Sequence, residues 1–117
     1  MKNSSETSNL ISYEPKDFPS ISVMKWAMLV TLLEDGEKGN SSNLIDVKVA
    51  RMLNISPEMF KYEIKPGKPY FSYRMSWERT KAKKQGYIEK IPGKSRMWRL
   101  TSKGTSIANR KRKSFRF

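Results

Sequence analysis

Three helix-periodic stretches, followed by two short β-prone runs around a Pro-Gly turn, predict a single α+β domain of the winged helix-turn-helix class. The charge map agrees with that order. Residues 61–117 hold 18 basic and 3 acidic side chains, whereas residues 1–60 hold 6 and 8. A surface for a polyanion therefore belongs to the second half, where the third helix and the hairpin lie. At 117 residues the chain is long enough for one core.

Each element has its own signature. Residues 1–18 are polar, Ser/Asn/Glu-rich and then punctuated by Pro15. They predict a flexible N-terminal arm ahead of a domain over residues 19–108. Trp26, Leu29, Val30 and Leu33 form one apolar stripe on a helix from Ser20 to Glu34, closed by Asp35-Gly36. Gly39 to Ser42 reads as a loop that supplies serine caps. Ile45, Val49, Met52 and Leu53 mark a second helix that stops at Asn54. Ser56-Pro57-Glu58 starts a short turn through Tyr62, with Ser as cap and Pro at the first helical position.

Tyr70 to Gln85 contains neither Gly nor Pro and is closed by Gly86, which makes it the third helix. At about 100° per residue, Phe71, Met75, Glu78 and Ala82 share one face. Ser72, Ser76, Arg79, Thr80 and Lys83 crowd the other, with Tyr73 and Lys84 at its margin. Tyr87–Ile91 and Arg96–Leu100 flank Pro92-Gly93 as a hairpin with a basic tip. Thr101 caps a last helix that starts at Ser102 and runs to about Asn109. Residues 109–117 form a basic tail, read as a DNA-contacting arm.

Composition excludes much chemistry. With no Cys and no His, there is no disulfide, zinc finger, thiol nucleophile or imidazole base. No catalytic residue, metal or cofactor is expected, and the chain reads as a non-enzyme. Glu63-Ile64-Lys65, with Asp46 upstream, matches the E-x-K part of a nuclease motif. Those groups must sit on adjacent strands of a sheet core, and here they fall in a helix and a loop, so the match reads as chance. No apolar run approaches the roughly 18 residues of a membrane span, and no secretory segment opens the chain. The expected location is the cytoplasm, at the nucleoid in a prokaryote.

The winged order assigns roles to side chains. The third helix is expected in the major groove of double-stranded DNA. Arg79 would meet guanine through two hydrogen bonds, Ser72, Ser76 and Thr80 would reach several base edges, and Tyr73 would act by contact. Lys83 and Lys84, near the helix end, suit phosphates, as do Lys94 and Arg96 on the wing. Trp26 and Trp98 fall on apolar stripes and read as core; Trp77, between the two faces, also reads as packing.

The run Phe71-Ser-Tyr-Arg-Met-Ser-Trp77-Glu-Arg-Thr-Lys-Ala-Lys-Lys-Gln-Gly86-Tyr-Ile resembles the recognition-helix segment of the N-terminal domain of Mrr-type restriction proteins. Met97-Trp98-Arg99-Leu100-Thr101-Ser-Lys-Gly104 is similar to the strand and helix start that close that domain. Leu32-Leu33-Glu-Asp-Gly36 and Leu53-Asn-Ile-Ser56 fit its first two helices, so the resemblance covers about residues 19–108. It implies a winged helix that targets DNA. The nuclease domain that follows in such proteins has no counterpart in these residues, so binding without cleavage is expected. Two positions depart from the pattern: Glu78 stands where the family is usually small, and Ala82 where it is usually large and aliphatic. A buried Glu78 needs a partner, and Arg74 one turn earlier is the expected one.

Together these readings describe a transcriptional regulator or DNA-targeting module, working as a homodimer or with a partner protein that supplies an effector domain. An RNA- or ribosome-associated protein and a winged-helix protein-interaction module share the same charge and element order.

Overall fold

The computed structural model describes residues 12–115, with side chains through 113. Its axis is α1 (Ile21–Asp35), capped by the Ser20 hydroxyl, which accepts the Val23 N–H, and closed by Gly36 in a left-handed conformation. The apolar pattern predicts one buried stripe on this helix. Instead, Met24, Ala27, Met28, Leu29, Val30 and Leu32 are all buried, because other helices and a strand pack around it. Trp26 and Leu33 of the predicted stripe lie at the core's margin.

A 3-10 turn at Gly36–Lys38 leads into β1 (Asn40–Ser41) and α2 (Ser42–Met52). Then come α3 (Pro57–Lys61), α4 (Tyr70–Lys84), β2 (Ile88–Lys90), β3 (Met97–Leu100) and α5 (Ser102–Lys111). The predicted caps are in place: the Ser41, Ser56 and Thr101 hydroxyls accept the N–H groups of Leu44, Met59 and Gly104. Asn54 ends α2 in a left-handed conformation (φ 58°), which Asn tolerates better than most residues.

The sheet is antiparallel with three strands in the order β1-β3-β2, pairing Asn40 with Trp98 and Ile88 with Leu100. The sequence predicts two of them and reads β1 as a loop. Two residues are too short for any periodic signal, and their pairing is set by a partner strand more than fifty residues away. Gly39 permits that approach, since a Cβ there would stand 2.0 Å from the Trp98 carbonyl oxygen. Three helices and a three-stranded sheet, in this order, give a winged-helix-like α+β fold, with α3 and α5 as additions. Trp98 packs into the core as predicted, its indole N–H donating to the Ser42 hydroxyl at 2.9 Å.

Both ends of the domain differ from expectation. The arm predicted to be flexible through residue 18 is docked from Tyr13 onward. Phe18 is only 6% exposed and meets Tyr70 edge-on at 4.9 Å, and Tyr13 meets Tyr62 at 5.1 Å. Averaged polarity hides two aromatic anchors. At the other end α5 runs on to Lys111 and continues as a 3-10 turn at Arg112–Phe115, so the basic run starts inside a helix rather than a free tail. Residues 1–11 of the arm and 116–117 of the tail lie outside the described residues. Among the described residues, no helix is long and apolar enough to cross a membrane.

Candidate nucleic-acid interface

The inner face of α4 is the predicted one: Phe71, Met75, Glu78 and Ala82 are all buried. The outer face is rotated from its predicted centre. Arg79, expected to meet guanine, is only 8% exposed, and its guanidinium donates to the buried Asp46 carboxylate of α2. Ser72, on the same flank, is half-buried. Burial pushes the Asp46 carboxyl up to about 6, against the pull of Arg79 and, more weakly, of Ser72. The residue expected to meet guanine therefore fastens α4 to α2. A helical wheel sets Arg79 about 80° from Phe71, near the edge of the buried arc. Which neighbour occupies that edge is decided by tertiary packing.

Glu78 departs from expectation in its partner. Arg74 turns away, donating to the Tyr70 hydroxyl at 3.0 Å and lying over the Tyr70 ring. Instead Lys81 reaches Glu78 Oε2 at 3.5 Å, while Oε1 is buried without a partner among the described residues. Arg74 is drawn off by the aromatic cluster at the start of α4, which its spacing from Glu78 does not reveal.

Tyr73, Ser76, Trp77, Thr80, Lys83 and Lys84 make the exposed face of α4. Trp77, read from sequence as packing, is 51% exposed, and its ring stands edge-on to that of Tyr73 at 6.3 Å. Tyr73 is itself 41% exposed, with the Lys68 ammonium 5.8 Å from its ring centre. The Ser76 and Thr80 hydroxyls donate to the carbonyls of Tyr73 and Ser76, leaving oxygen lone pairs to accept from outside.

Ion pairs among the described residues occupy Lys16, Lys48, Arg79, Lys81 and Arg99. Lys103 donates to the Gln85 carbonyl at the end of α4, and Lys25 and Lys111 both lie over the Trp26 ring. That part of the positive charge is structural. Lys83, Lys84, Lys94 and Arg96 are exposed and have no carboxylate partner among the described residues. On the wing, the Arg96 backbone is left-handed (φ 58°) and its carbonyl accepts the Ser42 N–H at 3.0 Å, which pins the turn to the start of α2.

The family model of the Mrr N-terminal domain matches residues 24–110, almost the whole span from α1 through α5. The chain belongs to the Mrr N-terminal domain family. No curated protein and no solved structure matches it. Membership makes the chain a DNA-associated module of the kind found in restriction systems.

Within this Mrr N-terminal domain the E-x-K match lacks the context of a nuclease centre. Asp46 lies on α2 in its pair with Arg79, and Glu63 lies in a loop, where it accepts the Gly67 N–H at 3.0 Å. Neither is on a strand. No group of three or more candidate metal ligands occurs among the described residues.

Proposed function

We propose that this Mrr N-terminal domain binds double-stranded DNA through the exposed face of α4, with Lys94 and Arg96 of the wing on the phosphate backbone. One observation carries the reading. The cations at the end of α4 and on the wing have no acidic partner among the described residues, whereas most of their neighbours are engaged within the protein. Exposed cations in that state neutralise phosphates and release counterions. Ser76 and Thr80 present acceptors to base edges, and Tyr73 and Trp77 present apolar contact, in a helix that Arg79 holds in place. The biological role that follows is DNA targeting or transcriptional regulation alongside a partner that carries an effector.

The last turn of α4 would favour lysines in any case, because cations complement the helix C-terminus. Salt dependence separates the two roles. Fluorescence anisotropy on a labelled duplex, across a salt series, should give a slope of log K against log salt that falls by roughly 1 for each of Lys83→Ala and Lys84→Ala. Unchanged slopes with weaker folding would assign the lysines to the helix end alone. No binding to any duplex at low salt would overturn the reading.

A further inference from the structure

At the start of α4, bordering the face just described, the rings of Tyr70 and Tyr73 open into a cleft of about 420 Å³. Pro15, Ile64 and Pro66 complete its apolar lining, and Lys65 and Lys68 are its charged members. The volume falls in the range of small-ligand clefts, roughly 300–1,000 Å³. Its walls are tied down on each side. The Tyr70 N–H donates to the Tyr62 carbonyl at 2.8 Å, and the Gly67 N–H to the Glu63 carboxylate at 3.0 Å. Phe18 packs on Tyr70, which holds the segment carrying Pro15 against the cleft.

We infer that this cleft takes a single unpaired nucleobase of a DNA strand whose neighbouring duplex lies on α4. The inference rests on the DNA reading above and deepens it. Rings and prolines offer flat apolar surface to a base, and no carboxylate among the described residues lines the space. Both charged lining residues are lysines, which suits the phosphodiesters on either side of such a base. Tyr73 belongs at once to the cleft and to the exposed face of α4, so one strand can pass from duplex to cleft without leaving the protein. Unpairing a base costs a few kcal/mol, least where it is already bulged or mismatched, so the cleft favours such sites.

The test compares three duplexes of one sequence: fully paired, carrying a one-nucleotide bulge, and carrying an abasic bulge. The wild-type domain should bind the bulged duplex about tenfold tighter than the paired one, as expected for one base stacked on aromatic side chains. The abasic bulge should lose that gain, and 2-aminopurine in the bulge should be quenched on binding. Ile64→Trp, which fills the cleft, should abolish the preference while leaving paired-duplex affinity unchanged. Lys65→Gln, which leaves the apolar packing alone, should reduce the preference in the same way and serves if Ile64→Trp fails to fold. Equal affinity for paired and bulged duplexes, or a preference that the abasic bulge shares, would overturn the cleft and leave duplex binding standing. Failure to bind any of the three duplexes would remove both.

Discussion

Two flanks of α4 carry similar side chains and have opposite roles. The flank toward α2 holds the half-buried Ser72 and Arg79, whose guanidinium is engaged with the buried Asp46. The outward face holds Ser76, Thr80, Lys83 and Lys84, with no acidic partner for either lysine among the described residues. Serine and cation appear on each. The difference comes from the neighbouring helix: where α2 presents a buried carboxylate, an arginine is consumed in assembling the protein, and where nothing packs, the cations stay available. An arginine on a recognition helix is thus evidence of DNA reading only once its neighbours are known.

The sharpest way to break this comparison is to remove Arg79. Arg79→Ala leaves Asp46 buried and unpaired, and should cost about 3 kcal/mol of unfolding free energy in urea at pH 7, the lower end for a broken buried pair. Replacing both partners with apolar residues, Asp46→Leu with Arg79→Met, should recover most of that loss. If Arg79→Ala left stability unchanged and relaxed the choice of DNA site, the flank would be a reading surface after all.

A pH series sharpens the same contrast. Burial raises the Asp46 carboxyl from 3.8 to about 6, so the folded protein takes up this proton more readily than the unfolded chain. The corresponding stability is fully present below about pH 4 and is lost as pH rises toward 6. Measured against Asp46→Asn, the wild type should therefore weaken between about pH 4 and 6, and the penalty of Arg79→Ala should shrink near pH 5, where the carboxyl can take a proton. A flat difference between the two proteins across that window would contradict the assignment.

A smaller effect is expected on the innermost face. Glu78 is 1% exposed, with one oxygen unpartnered and the other at 3.5 Å from Lys81. Glu78→Leu should raise stability by about 1 kcal/mol, since a poorly compensated buried charge is replaced by apolar packing. A loss of that size would instead make the Lys81 contact a net stabiliser.

Much of the fold was legible because its signals are local. Serine caps, Pro57, the Asp35-Gly36 stop and the Pro-Gly turn each act within a few residues, and each element they mark is present. What escaped depends on distant partners. β1 exists because β3 lies beside it, Phe18 is ordered because Tyr70 receives it, and Arg74 leaves Glu78 for the Tyr70 hydroxyl. The site divides the same way. Exposure of Ser76, Thr80, Lys83, Lys84, Lys94 and Arg96 followed from periodicity and turn chemistry. The burial of Arg79 and the exposure of Trp77 reverse their sequence readings, because a wheel gives angles without naming what packs at each angle.

The most direct measurement sets the two flanks of α4 against each other in one binding assay. Duplex affinity and its salt slope are compared for the apolar pair Asp46→Leu/Arg79→Met and for Lys83→Ala/Lys84→Ala, each checked for folding by circular dichroism. The first should bind as the wild type does with the same slope, and the second should lose affinity with a slope shallower by roughly 2. A lysine variant that binds normally, beside an Asp46/Arg79 variant that folds but no longer binds DNA, would contradict the assignment of the two flanks.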